Sequence, residues 1–440
     1  MKAMMLTKHK LGDLLEVTRG ASLSGEYFAT QGDYMRLTCG NFDYQSNCFK
    51  SNTSKDNLYY TGNFNQEYLM EKDDIITPLT EQAVGLLGST AWVPEGGKYI
   101  QSQDVAKITP NERLLDKKFC YYLISSKVVK QQLSAAAQQT KIRHTSPDKI
   151  KDCTVWIPSL EEQTKIGQFL YDIDSKIALN RQINDNLEAT ARQLYDYWFV
   201  QFDFPVENGK PYKSSGGKMV WNKELKKEIP INWNVERLGK RCKVLLGGTP
   251  DTKDEKLWGE GYSWLNSGEV AVFPILKSER QITQAGLDSS ATVLATKGSV
   301  TLSITRYLRP SILAIDACIN QSVVAIEENE FYKKEFLYPY IKAEVPILMS
   351  LRTGAQQPHI NKETVENIKL LHPSNEIMDK YLRYTTPVYK EIVNLAQETE
   401  NLTKQRDELL PLLMNGQVTV NYHLSLAHIT PTTLAPLCTP

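Results

Sequence analysis

From Ile166 onward, apolar residues recur at alternating steps of four and three: Ile166, Leu170, Ile173 and Ile177, then Asn180 and Asn184, then Leu187, Ala191, Leu194 and Trp198. Two such positions per heptad make a coiled-coil seam, and at 1.5 Å per residue it spans roughly 48 Å. Much later Tyr381, Thr385, Val388, Ile392, Leu395, Thr399, Leu402, Arg406, Leu409 and Leu413 keep the same register. Two matching seams in one chain predict long helices that pair with each other. The first opens on Ser159 with Glu162 three residues on, a capping box behind the helix-excluding Pro158. In the second, Ile377 replaces the acidic residue, Pro411 is expected to bend or end the helix, and Asn415-Gly416 is the stop signal. Asn180 and Asn184 place amides in the apolar stripe, where they cost stability but specify the alignment of the partner helix.

Outside the helices the pattern shortens and is written twice. Leu11-Gly12-Asp13 with Val17 and Gly20 returns as Leu238-Gly239-Lys240 with Val244 and Gly247. Tyr34, Leu37 and Gly40 return as Tyr262, Leu265 and Gly268, and Gln138-Gln139 with Ile142 as Gln356-Gln357 with Ile360. Each copy closes on a proline-serine step, Pro158-Ser159 and Pro373-Ser374. The period is far too long for a solenoid, so each copy is a domain with its own core. Runs such as Asp74–Thr77 and Val105–Ile108 have strand character, with counterparts at Gly298–Val300 and Ser322–Ile326, whereas Phe119–Ile124 and Phe336–Tyr338 read as helical. The predicted class is α+β: mixed domains at 11–158 and 231–373, long helices at 159–204 and 374–418, a polar linker at 205–230 and a weakly ordered tail at 421–440.

The 440 residues carry a formal net charge of zero, which by itself argues against a nucleic-acid protein. The charge is segregated, however. The first seam is acidic, while Lys210, Lys213, Lys218, Lys223, Lys226 and Lys227 crowd the linker and Lys141, Arg143, Lys149 and Lys151 crowd the end of the first domain. Seven scattered cysteines form no CxxC pair and no zinc pattern, so buried reduced thiols are expected. No apolar run reaches the roughly 18 residues of a membrane span, and the first residues lack the apolar core of a secretion signal. A cytoplasmic protein with no membrane partner is therefore expected.

No phosphate-binding glycine loop, dinucleotide fingerprint, HExxH or nucleophile elbow is present. Nor is there an Asn/Asp-Pro-Pro-Tyr/Phe tetrapeptide of the kind amino-methyltransferases use. Pro147-Asp148 followed by Asp174-Ser175-Lys176 fits a loose magnesium-nuclease pattern. But Asp174 and Lys176 fall between seam positions Ile173 and Ile177, where they are ordinary solvated residues.

Several segments together resemble the specificity subunit of type I restriction-modification systems. They are Leu246-Gly247-Gly248-Thr249-Pro250 leading to Tyr262-Ser263-Trp264-Leu265; Thr353-Gly354-Ala355-Gln356-Gln357-Pro358-His359-Ile360 running to His372-Pro373; Ile157-Pro158-Ser159-Leu160-Glu161-Glu162-Gln163-Thr164-Lys165-Ile166; and Leu194-Tyr195-Asp196-Tyr197-Trp198-Phe199 with Phe202-Asp203-Phe204-Pro205. The resemblance covers about residues 11–418. It implies two target-recognition domains in a pseudo-two-fold arrangement, joined by helices that form an antiparallel coiled coil. Each domain would read half of a split, asymmetric site on double-stranded DNA, and the coil would fix the spacer. The chain itself would be non-catalytic and without cofactor. Methyltransferase subunits, two in number, would dock on the coil and modify adenine, and restriction subunits would add an ATP-dependent nuclease, so that S-adenosylmethionine, ATP and magnesium belong to the partners.

For contact with DNA, the first domain offers Asn41, Tyr44 and Gln45 after the Gly40 turn, Thr80 and Gln82 after a strand, and Lys141, Arg143 and His144. The second offers Ser267, Arg306, Tyr307, Arg309, Arg352, Gln356 and Gln357. These types read base edges or grip phosphates; for each, plain surface or fold support competes. The recurring glutamine pairs suit a shared structural or phosphate role. A single-chain restriction enzyme and a coiled-coil scaffold that binds no DNA are the competing readings.

Overall fold

The computed structural model of the protein describes residues 4–420 apart from 54–55, 82, 84, 138–142, 207–208, 355 and 357. The chain divides into two units, Met1–Lys176 with Leu402–Pro440 and Ile177–Asn401. Each unit is a mixed α/β head together with stretches of the two long helices, Leu160–Tyr195 and Asn375–Met414.

The two heads share one plan. In the first, Leu15–Arg19, Val105–Pro110, Ile75–Pro78 and Ala91–Trp92 lie side by side in an antiparallel four-stranded sheet. In the second, Val244–Leu246, Val323–Ile326, Val300–Ser303 and Pro310–Ile312 take the same order. The inner strands Ile75–Pro78, Val300–Ser303 and Val323–Ile326 are buried at every residue, so both of their faces are covered. A second sheet pairs Tyr34–Arg36 in parallel with Tyr99–Ile100 in one head, and Trp258–Leu265 in parallel with Ala317–Ile319 in the other. Arg36 stands opposite Ile100 as Trp264 stands opposite Cys318, so the match of Leu37 with Leu265 holds in space. Gly20 and Gly247 lie at the same crossing between sheets. A Cβ there would sit 2.1 Å from the Gln101 carbonyl oxygen or 1.8 Å from that of Ile319.

One sequence match fails. Leu79 receives the amide of Thr145 at 2.9 Å, and its counterpart Ile304 receives that of Ile360 at 3.0 Å. Ser146 and Asn361 then cap the short helices Pro147–Lys151 and Lys362–Glu366. Ile360 therefore corresponds to Thr145 and not to Ile142. The pairing of Gln138-Gln139 with Gln356-Gln357 is out of register by three residues; Gln138, Gln139 and Ile142 themselves lie outside the described residues.

The long helices run antiparallel within each unit. In the first, Ile166 and Leu170 share the head's core with Leu413 and Met414, and Arg406 reaches Asp174. In the second, Asn180 donates to Glu398 at 2.7 Å and Asn184 to the Ile392 carbonyl at 3.2 Å. Ile166, Leu170, Ile177, Trp198, Ile392 and Leu395 are buried. Ile173, Leu187, Leu194, Val388, Leu402 and Leu409 are half-buried, so no predicted seam residue among these is exposed.

Three expectations need correction. Pro411 does not end the second helix: it runs to Met414, because Leu409, Leu410, Leu413 and Met414 are packed into the first head. Gly416 at φ 68 then closes it, with Gln417 bonding back to Leu412 and Gly416 to Leu413, the Schellman pattern. The first helix is regular only to Tyr195 and passes into a π-helical turn, Asp196–Val200, that carries Trp198 and Phe199 into the second core. Residues 205–230 are no featureless linker. Tyr212 stacks on Phe204 at 4.7 Å, Phe204 on Trp233 at 5.3 Å, and Met219–Asn222 pairs with Lys227–Pro230 as a hairpin. Burial of these rings outweighs the polar composition.

Candidate nucleic-acid interface

In the first unit the chain leaves strand Ile75–Pro78 and pairs Thr80-Glu81 with Arg143-His144, antiparallel. This brings three predicted residues together. Thr80 Oγ1 and His144 Nδ1 share a hydrogen bond at 3.2 Å, and Arg143 Nη1 lies 3.3 Å from Glu81 Oε2 and 3.4 Å from Ser134 Oγ. Glu81 also accepts the Gly85 amide at 2.9 Å. The Gly40 turn is beside them, since Cys39 Sγ donates to the Thr80 carbonyl at 3.5 Å. Burial pushes that thiol up to about 11, so it is neutral.

Asn41 is turned inward. It is 3% exposed, its oxygen accepts the Thr38 amide and its nitrogen donates to the Lys50 carbonyl, so both ends of the amide hold the turn together. Tyr44 is half-buried against the neighbouring core. Gln45 is exposed on an Asx turn in which Asp43 accepts the amides of Gln45 and Ser46. Gln82 and Lys141 lie outside the described residues.

In the second unit the corresponding position is a tighter turn. Arg306 stands where the first head has Glu81, and Thr305 bridges to His359 as Thr80 pairs with His144. Arg306, Tyr307 and Arg309 are exposed, Tyr307 by 63%, and the Arg309 guanidinium lies 5.3 Å from the Tyr307 ring centre. Arg352 is half-buried and donates through Nε to the Met349 carbonyl at 3.0 Å and through Nη1 to the Arg306 carbonyl at 2.5 Å. Gln356 is exposed on the adjoining loop, Ser267 is half-buried on a separate turn before Glu269–Ala271, and Gln357 lies outside the described residues.

Two residues fasten the first helix to its head, Gln163 from the family-like segment that opens the helix and Gly167 just beyond it, and neither role was legible in the sequence. Gln163, 1% exposed, accepts the Asp116 amide and donates to the carbonyls of Leu114 and Pro158. Gly167 lets the helix approach Phe119, whose amide nitrogen would be 2.6 Å from an added Cβ. Asp174, the centrepiece of the nuclease pattern, is bound by Arg406 and by the Tyr122 hydroxyl.

Two heads with one frame and different tips match a known family. The family described as type I restriction modification DNA specificity domain matches residues 6–189 and again 230–404. The chain belongs to that family. As a type I specificity subunit it carries two DNA-recognition domains, and the methylase and restriction activities of such systems lie in other subunits. It is 24% identical over 324 residues to the MjaIX specificity subunit of Methanocaldococcus jannaschii, covering 72% of this chain and 73% of that one. It is 23% identical over 376 residues to the HindI specificity subunit of Haemophilus influenzae, covering 73% and 81%. The crystal structure of the S subunit of a type I system from M. genitalium shares the fold, with a TM-score of 0.59 at 15% identity over 94% of this chain and 97% of that one. Among the described residues no helix of this specificity subunit is long and apolar enough to cross a membrane.

Proposed function

We propose that the two heads read the two halves of a bipartite, asymmetric site on double-stranded DNA, and that the paired long helices set the unread spacer. Methyltransferase subunits, two of them, dock on the chain and modify adenine in each half. Restriction subunits join the same assembly. In this reading the chemistry, with its S-adenosylmethionine, ATP and magnesium, belongs to those partners, and the present chain supplies position and sequence choice.

One observation carries the reading. At equivalent backbone positions, after equivalent strands and beside equivalent histidines, one head has Glu81 held by Arg143 and the other has Arg306 open to solvent. A common frame with one tip neutralised by an ion pair and the other cationic suits two different half-sites, since identical heads would read matching ones. The zero net charge fits a subunit whose partners provide much of the phosphate contact.

The test is methylation-sensitive sequencing of a host genome with and without this gene, the methyltransferase gene being present in both. A split motif with unlike halves that vanishes with the gene supports the reading. Methylation that persists unchanged without it refutes the reading.

A further inference from the structure

Arg306 has φ 58, a left-handed backbone that a non-glycine residue adopts only where its surroundings enforce it. The enforcement is visible. Its amide donates to the Pro358 carbonyl at 2.9 Å and its carbonyl accepts Arg352 Nη1 at 2.5 Å. Ser303 Oγ donates to the Tyr307 carbonyl at 2.5 Å and accepts the Arg309 amide at 3.0 Å. The turn is thus pinned at Arg306, Tyr307 and Arg309, the three residues whose side chains face solvent. Among the described residues neither Arg306 nor Arg309 finds a carboxylate partner.

We infer that Arg306 and Arg309, on either side of Tyr307, read guanine edges in the second half-site, and that Arg352 is a positioning residue that holds Arg306 outward without touching a base. This deepens the proposed function and rests on it. The planar fork of arginine matches the O6 and N7 acceptors of guanine with two parallel hydrogen bonds, a match that rewards a rigid mount. Phosphate contacts carry no sequence information and would recur in both heads. This tip does not recur, because its counterpart is Glu81, already neutralised by Arg143. Arg352 commits its Nε and Nη1 edges to backbone carbonyls, and one of those carbonyls belongs to the strained residue.

The test uses the complete methyltransferase assembly with Arg306→Gly, Arg309→Ala, Arg352→Ala and the Arg306→Gly, Arg352→Ala double variant, each read by genome-wide methylation. Glycine adopts a positive φ freely, so Arg306→Gly removes the side chain without straining the turn. Arg306→Gly and Arg309→Ala should each relax a guanine position of the second half-site about tenfold or more, leaving the first half-site intact. Arg352→Ala should broaden the same position as Arg306→Gly, and the double variant should be no worse than Arg306→Gly alone, because a clamp has nothing left to hold. Uniform loss of methylation at all sites with the motif intact would make the arginines phosphate anchors and overturn the assignment. A double variant clearly broader than either single one would overturn the clamp. Absence of any split motif from the unmodified assembly would sink the underlying reading, whereas a normal motif untouched by Arg306→Gly would sink this inference alone.

Discussion

Arg406 Nη1 lies 2.8 Å from Asp174 Oδ1, and this ion pair joins the two long helices at a seam position where an apolar residue would be expected. The arginine is 8% exposed and is also held by Asp407, while the Tyr122 hydroxyl donates to the other Asp174 oxygen at 2.7 Å. Burial opposes the guanidinium charge, but the two carboxylates outweigh it and raise its pKa. Removing Asp174 leaves the buried Tyr122 hydroxyl without its acceptor and the buried guanidinium of Arg406 with Asp407 alone. Asp174→Ala should destabilise the first unit by about 3 kcal/mol, whereas replacing the whole set with Asp174→Leu, Arg406→Met and Tyr122→Phe should restore most of that stability. Urea unfolding compares the two; a triple variant as unstable as the single one would contradict the account.

Asn180 and Asn184 each use the amide nitrogen across the helix pair, yet both Oδ1 atoms are buried without a hydrogen-bond partner. An unpaired buried acceptor costs about 1–3 kcal/mol. Asn180→Leu with Asn184→Leu should therefore stabilise the second unit by about 1–2 kcal/mol, and by releasing the alignment of the helices should let methylation spread to sites with altered spacers. A more stable variant with one unchanged spacer would show that these amides do not set alignment.

The crossings at Gly20 and Gly247 admit no side chain. Gly247→Ala forces a Cβ against the Ile319 carbonyl carbon at 2.4 Å and its oxygen closer still, so the sheets must part. A loss of about 3 kcal/mol in the second unit is expected, with a similar loss in the first for Gly20→Ala. Thermal unfolding that leaves either variant unchanged would contradict the close approach.

His372 shares a hydrogen bond with the Tyr332 hydroxyl at 2.8 Å, and burial together with nearby Arg241 holds its pKa below the ordinary 6.5. The unfolded chain then takes up this proton more readily than the folded one, so the stability present above pH 6.5 is lost as pH falls below that value toward the depressed folded pKa. His372→Gln should flatten this part of the acid dependence of urea unfolding. An identical slope in variant and parent would refute it.

The heptad spacing alone disclosed the helix pair, because burial of a stripe leaves a period in the sequence; none of the seam residues is open to solvent. Polar partners leave no such trace. Asp174 sits between Ile173 and Ile177 and looks solvated, and only the antiparallel pairing brings Arg406 to it. Similarly the Gly40 turn was legible, but not that Asn41 faces inward to close it while Gln45 faces out. The glutamine pairs misled because identical letters outweighed the register carried by Leu79 with Thr145 and Ile304 with Ile360. Composition likewise hid the hairpin of residues 219–230, whose order comes from the rings of Phe204, Tyr212 and Trp233 packing nearby.

The central claim is that each head chooses its own half of the DNA site. Exchanging residues 11–158 for the first head of another specificity subunit, and mapping methylated adenines in the host genome, tests it most directly. One half of the motif should change while the other half and the spacer stay as they were; a change in both halves, or in neither, would contradict it.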